Sequence, residues 1–280
     1  MIQADETPLL VNKDGRPAGS KSYMWVYRTG KYQTDRQVIL YDYQKTRKAD
    51  HPREFLKDFR GVCVTDGYQA YHTLEGELED LEISGYWAHS RRRYDEAVKA
   101  LPKSEQKMNL AYLALSQIQQ IYHEEAELQD MTPAERRKHR QKFIKPLVDA
   151  YFNWIRINID KVMPKSKTYN GMTYSINQEK YLRRFLDDGE IPIDNNAAEQ
   201  SIRSFCIGKK NWVMCDTING AKSSAIIYSL VETAKANKLR LYEYFNYLLT
   251  EIPEHMDDKN NDFCEKLLPW SDELPVECRK

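Results

Sequence analysis

The stretch IPIDNNAAEQSIRSFCIGKKN (Ile191–Asn211) sets one carboxylate, Glu199, in a helical segment bordered by amides and cations. Pro192 followed by Asp194 and Asn195 is a helix-start signal, because a capping Asp or Asn accepts from an otherwise orphan backbone N–H. Ala197 and Ala198 favour helix, so Glu199 falls in the first two turns. Residues four apart share a helix face, which aligns Asn195, Glu199 and Arg203, with Asn196 at the i−3 position, while Ile202 and Phe205 supply a packing side. Read alone, Glu199 and Arg203 are equally an ordinary surface pair contributing roughly 0.2–0.5 kcal/mol. What the carboxylate works with depends on the rest of the chain.

Two hundred and eighty residues allow one large or two ordinary domains with a core that needs no staples. Lys plus Arg equal Asp plus Glu at 42 each, so no global field draws the protein to a polyanion, and a nucleic-acid partner must be held by local patches. The five cysteines are odd in number and scattered without a C-x-x-C pair, which argues against a disulfide framework or a structural zinc and fits a reducing cytoplasm. No apolar run reaches transmembrane length, and Met1 to Pro8 lacks the regions of a signal peptide. The expectation is a cytoplasmic protein with no membrane partner.

Residues 2–12 read as a strand entering the Asp14-Gly15 turn, and Tyr23 to Arg28 and Gln37 to Tyr43 as two further antiparallel strands. Phe55, Leu56 and Phe59 have helical spacing after Pro52. GVCVT (Gly61–Thr65) is too short for a helix and suits a buried strand, which a helical crossover would make parallel to the first. A short helix or turn at Tyr68 to Leu74, a strand at Leu81 to Trp87 and a helix at His89 to Leu101 give β-β-β-α-β-α-β-α over the first hundred residues. From Ser104 the periodicity becomes helical, through Ala111, Leu115, Ile118 and Tyr122, then Phe143 to Ile159, then Tyr174 to Leu186, and nothing within this block itself indicates chemistry. Past the Glu199 helix, Asn211 to Met214 reads as a short strand, followed by helices at Ala221 to Asn237 and Tyr242 to Leu249. The charged tail from Pro253 is expected to be loosely ordered as far as Leu267-Leu268-Pro269-Trp270.

Asp5 lies on the first strand and Asp66 at the C-terminal end of the fourth. If those strands are parallel neighbours, both carboxylates emerge at the end of the sheet where ligands collect in open α/β folds. Two or three converging carboxylates without histidine or thiolate suit hard cations such as Mg²⁺ or Mn²⁺, and two such ions can hold a phosphodiester between an attacking and a leaving oxygen. Each acid has a plainer role as well: Asp66 before Gly67 is good turn chemistry, and Asp5 can simply end a strand. For a third ligand Asp95 and Glu96 compete with Glu199, and spacing alone does not choose.

Here the chain resembles the DDE transposases of the insertion-sequence sixty-six type. The matching stretches are QADETP (Gln3–Pro8), HPREFLKDFRGVCVTDGYQAY (His51–Tyr71), WAHSRRRYDEA (Trp87–Ala97), IPIDNNAAEQSIR (Ile191–Arg203), GKKNWVM (Gly208–Met214), IIYSLVETAKANKL (Ile226–Leu239) and LLPW (Leu267–Trp270), in the family's order and across nearly the whole sequence. Two positions depart from the family's usual pattern: Tyr86 stands where Cys is common, and Lys209 where Arg is, which keeps the charge but not the bidentate fork. The resemblance implies an α/β, ribonuclease-H-like mixed five-stranded sheet flanked by helices. Its first part would span 1–101, a helical insertion 102–190, its last part 191–250, and a C-terminal tail 251–280.

By motif position the resemblance makes Asp5, Asp66 and Glu199 the catalytic, metal-holding triad for Mg²⁺ or Mn²⁺, two ions in all. The long gap between Asp66 and Glu199 is then filled by the helical insertion. For DNA contact the expected residues are Arg91, Arg92, Arg93, Arg203, Lys209 and Lys210, which flank the acids and would neutralise phosphates that carboxylates alone repel. His89, Asn195 and Asn196 are expected to support them. The implied activity is metal-dependent cleavage at transposon ends and strand transfer into target DNA, by a homo-oligomer on DNA, with accessory proteins of the same element as further partners. Family members generally carry an N-terminal DNA-recognition region, whereas this sequence begins almost at the first catalytic strand. The alternative expectation is therefore a catalytically inactive DNA-binding or assembly fragment.

Overall fold

The computed structural model describes every residue except Thr34. The chain forms two compact units: Ile2–His51 with Ala197–Lys280, and Pro52–Asn196 with Met1.

The first unit is built on a meander of β1 (Ile2–Lys13), β2 (Lys21–Thr29) and β3 (Ile39–Gln44), in which β1 pairs antiparallel with β2 and β2 with β3. The central strand, KSYMWVYRT, is aromatic and β-branched because it is covered on both faces: Met24, Trp25 and Val26 have no exposed surface. One face of β1, carrying Leu9 and Val11, packs with Met24, Val26 and Tyr41 beneath α8 (Asn196–Trp212) and α9 (Ile218–Ala236), whose Phe205, Ala221 and Ala225 close the core.

The outer margin of β3 is covered by α9. The Ser229 hydroxyl accepts from the Tyr41 amide at 2.8 Å, and the Thr233 hydroxyl accepts from the Ile39 amide at 3.0 Å and donates to its carbonyl at 2.9 Å. These two hydroxyls, four residues apart on one helix face, pair backbone groups that would otherwise be open.

In the second unit, β4 (Gly61–Thr65) and β5 (Leu81–Gly85) pair in parallel, linked by α2 (Gln69–Glu77). Helices α3 (Trp87–Lys99), α4 (Leu110–Ala126), α6 (Lys145–Asn158) and α7 (Lys167–Arg183) pack around a core that includes Trp87, Ile118, Tyr151 and Phe152, all without exposed surface. Periodicity placed this block but not its two buried guanidinium groups. Arg140, in a single π turn, has no exposed surface; it is paired with Glu125 and donates to the carbonyls of Phe185 and Asp188 at 2.7 and 2.8 Å. Arg136 donates to the carbonyls of Met131 and Gly189 at 2.9 and 2.6 Å. Each buried charge is thus met by oxygen, without which its desolvation would be prohibitive.

Two expectations are corrected. Among the described residues there are six strands rather than five. Asn211 and Trp212 do not begin a strand: α8 is a long helix that runs through them, and the strand comes later, as β6 (Cys215–Thr217), parallel to the end of β1 with Val11 opposite Cys215. The tail docks from Leu267 onward, the point at which order was expected to resume. Leu267, Leu274 and Cys278 pack with Tyr244 and Leu248 of α10 (Leu241–Glu254), and the Tyr244 hydroxyl donates to the Leu267 carbonyl at 2.8 Å. All five cysteines are free thiols. Among the described residues no helix is long and apolar enough to cross a membrane.

Candidate functional site

Asp5 sits on β1 opposite Val26, and its Oδ1 accepts from the Glu6 amide at 2.9 Å. Strand residues two apart share a face, so Asp5 looks the same way as Thr7. Thr7 meets α8: its Oγ1 lies 3.4 Å from Cys206 Sγ and 3.4 Å from Lys209 Nζ, and Lys209 also donates to the Pro8 carbonyl at 2.7 Å. Toward its N-terminal end, α8 is held by Arg28, opposite Gln3 in the ladder, which donates to the Ala197 carbonyl at 3.0 Å and Ser201 Oγ at 3.2 Å. Ala197 to Cys206 spans about 13 Å of helix rise, and Gln3 to Thr7 about 13 Å of strand, so α8 lies along β1 in matched register.

Glu199 precedes Cys206 by seven residues, which is about 20° short of two full turns. Since Cys206 touches Thr7, Glu199 leaves the helix on the side that faces β1, between the levels of Gln3 and Thr7, where Asp5 stands. Within one unit, then, Asp5 and Glu199 lie on facing surfaces. Asp194, just outside the helix, accepts from the Asn196 amide at 3.1 Å and so performs the capping expected of that stretch.

Asp66 belongs to the other unit. It follows β4 directly and its Oδ1 accepts from the Tyr68 amide at 2.9 Å, an Asx-type turn that aims the carboxylate from the end of the strand. Three further side chains stand beside it. The Tyr174 hydroxyl and Gln178 amide of α7 close on Gly67 so tightly that a methyl group there would sit about 3.0 and 3.1 Å from them. Burial pushes the Tyr174 hydroxyl pKa up to about 12, with the Asp66 charge adding to the rise and Arg93 opposing it. His72, stacked on Tyr181 at 3.9 Å, has its pKa lowered by burial, while Glu75 and Asp66 oppose that shift. Gln178 Oε1 is buried with no hydrogen-bond partner among the described residues. The sequence signalled none of these three, because Tyr174 and Gln178 sit inside a helical block whose pattern speaks only of packing.

The expected DNA-contacting groups divide. On α3, Arg91, Arg92 and Arg93 are exposed, with Arg91 over the Tyr122 ring at 5.4 Å and Arg93 over the Tyr174 ring at 4.3 Å. Arg91, Arg92 and Asn196 line one cleft with Tyr122. Arg203 and Lys210 are exposed on α8, whereas Lys209 is committed to β1. His89 Nε2 is 2.8 Å from the Tyr86 hydroxyl, and Asn195 is fully buried. Asp95, one competitor for the third acid, forms an i,i+4 pair with Lys99 at 2.6 Å, while Glu96 is exposed on the same helix.

Within either unit, among the described residues, no three His, Cys, Asp or Glu side chains form a metal-holding group. The expected triad takes Asp5 and Glu199 from one unit and Asp66 from the other, so it is a property of neither alone.

Comparison with known proteins bears on the whole chain. Residues 1–223 match the model of the Transposase IS66 family, and residues 229–270 match the IS66 C-terminal element. Uncharacterized protein y4qI of Sinorhizobium fredii is 28% identical over 280 residues, covering 96% of this chain and 50% of that protein. Uncharacterized protein y4jD of the same organism is 27% identical over 239 residues, covering 84% of this chain and 45% of its own length. The chain therefore spans about half the length of these curated relatives. Because the matched segments run from the first strand through the Glu199 helix and on into the C-terminal element, the chain belongs to the Transposase IS66 family.

Proposed function

We propose that the chain is the catalytic domain of a DDE transposase of ribonuclease-H-like fold, cutting DNA at transposon ends and joining the freed 3′-hydroxyl to target DNA. The observation that carries this reading is the packing of α8 along β1 through Thr7, Cys206 and Lys209, and it supports pairing Glu199 with Asp5, a helix residue and a strand residue 194 positions apart in sequence. Asp66, aimed by its turn from the end of β4, is the third member.

The donor set fits a hard divalent cation. All three groups are carboxylates, and Asp5 and Asp66 are each oriented by a backbone amide that does not neutralise them. The buried Gln178 oxygen beside Gly67 adds a further hard donor to the surroundings of Asp66. Asp5, Asp66 and Glu199 would hold Mg²⁺ or Mn²⁺, which when bound supplies an activated water or hydroxyl and stabilises the leaving oxygen of a phosphodiester. The chain's own part is to orient. Arg91, Arg92, Arg203 and Lys210 draw the DNA backbone in by charge, Arg93 is fixed by its stacking on Tyr174, and Lys209 holds α8 to β1 so that Glu199 keeps its bearing. A homo-oligomer on DNA is the working form in this reading.

The test is nicking and strand transfer on DNA carrying transposon ends with Mg²⁺, comparing the parent chain with Asp66→Asn. Activity in the parent and its loss in the variant are expected; equal activity in both overturns the assignment.

A further inference from the structure

The unit containing α8 carries a second cleft, of about 570 Å³, between the end of β2, α8 and the C-terminal turn of α9. Its charges are one-sided. Arg28, Lys31, Lys235 and Lys238 line it against one carboxylate, Glu232, and Glu232 is already engaged by Lys235 at 2.8 Å and by the Ser204 hydroxyl at 3.3 Å.

Arg28 forms the floor. Among the described residues all of its hydrogen-bond acceptors are neutral: the carbonyls of Thr29 and Ala197, Ser201 Oγ, and Gln37 Oε1 at 2.7 Å. Burial lowers its pKa, the mark of a cation that has lost water without gaining a counter-charge. The guanidinium also lies against the first turns of α8, the positive end of that helix, which raises the local potential further. A half-buried cation beside a helix N-terminus, with exposed Lys31 and Lys238 above it, is a poor arrangement for stability alone. It is a good one for receiving an anion. Gln200, Ser201 and Ser204 add neutral donors along the same wall, so the lining can grip several oxygens at once.

We infer that this cleft is a phosphodiester-binding subsite that seats one strand of the DNA backbone, with Arg28 as its buried anchor and Lys31 and Lys238 as its rim. The inference rests on the DNA-processing reading above but uses none of the residues assigned there. It gives the Glu199 helix a phosphate contact on the flank that carries Gln200 and Ser204, and so couples the seating of DNA to the helix that bears the acid.

The test is fluorescence anisotropy of a labelled DNA duplex titrated with the intact chain between 50 and 200 mM KCl. The variants are Lys31→Gln/Lys238→Asn, Arg28→Gln, and Lys103→Gln/Lys107→Gln as a control with the same charge change elsewhere. Asn is chosen because Lys238 has φ +61°, which Asn tolerates. The rim pair are exposed surface residues, so that variant reads binding even if Arg28→Gln does not fold. Loss of two phosphate contacts should reduce the slope of log affinity against log salt by about 1.8, at roughly 0.9 per contact, with several-fold weaker binding at 100 mM, and Arg28→Gln should weaken it further. DNA binding by the parent with the rim variant's slope unchanged, or reduced only as much as the control's, overturns the subsite and leaves the proposed function standing. No DNA binding by the parent overturns both. Preferential displacement of the DNA by polyglutamate of matched charge would assign the cleft to an acidic protein partner and overturn it as well.

Discussion

Cys206 Sγ and Thr7 Oγ1 lie 3.4 Å apart, and this contact fixes the rotation of α8 on β1. Nothing in its chemistry is catalytic. Its importance is geometric, because the side of the helix that touches Thr7 is also the side from which Glu199 departs two turns earlier. The aromatic residue next to it, Phe205, has no exposed surface and packs edge-on to Trp212 at 5.5 Å and Tyr228 at 5.2 Å. Phe205→Ala should destabilise this unit by about 3–5 kcal/mol, read from urea unfolding. A cost under about 1 kcal/mol would mean that α8 is not seated by this ring.

A metal bound by the native acids must stabilise the fold. Mn²⁺ at a hundred times its dissociation constant contributes about 2.7 kcal/mol, so the melting temperature should rise by several degrees. Asp66→Asn and Glu199→Gln should each reduce the rise. A flat response of the parent chain at millimolar Mn²⁺ would favour the reading of a DNA-binding or assembly fragment without catalysis.

Arg140 and Glu125 form a buried pair in the helical unit. Removing one partner leaves an uncompensated charge, so Glu125→Gln and Arg140→Met should each cost about 3–5 kcal/mol. The double variant should recover part of that loss, because no charge then remains buried. If its cost equals the sum of the two singles in a double-mutant cycle, the pairing carries no coupling energy.

Gly189 and Gly208 look alike in sequence and differ in surroundings. A methyl group on Gly189 would overlap the backbone carbonyl of Pro133, whereas on Gly208 it would meet the far end of the Tyr228 side chain. Gly189→Ala should therefore destabilise by about 1–3 kcal/mol and Gly208→Ala by less, since Tyr228 can swing and the backbone cannot. Thermal unfolding of the two variants decides it, and equal losses would contradict the argument.

Burial lowers the pKa of His72, so the folded chain keeps its imidazole neutral where the unfolded chain takes up a proton, near pH 6.5. The unfolded state binds more protons in that range, and stability must fall as pH drops from about 7.5 to 5.5. His51, whose pKa burial also lowers, contributes with the same sign. His72→Phe keeps the stacking on Tyr181 and should flatten the fall measured by urea midpoints; a slope unchanged from the parent would exclude His72 as a contributor.

The strands β1 to β5 and the helical block were legible because alternating and 3.6-residue patterns report burial directly. The end of α8 was not. Gly208 and the polar run that follows it look like a break, but Trp212 packs against Phe205 and carries the helix through them. In the tail the apolar Leu267-Leu268-Pro269-Trp270 stretch was legible as the point where order resumes, and Leu267, with Leu274 and Cys278 beyond it, docks there, because burial depends on where a few apolar groups fall rather than on average composition. Arg136 and Arg140 were invisible, since a guanidinium is buried only where the fold brings carbonyls to it. Of the acids, Asp5 could be placed on its strand and Asp66 just past the end of another from pattern alone, while Glu199 needed the family resemblance to be preferred over Asp95 and Glu96.

The Ser229 and Thr233 hydroxyls on Ile39 and Tyr41 have a consequence for self-association. A strand whose flank is already sealed by a helix cannot act as a template for intermolecular β-growth at those positions. At that margin a second polypeptide could therefore be met only through side chains and not by extending the sheet.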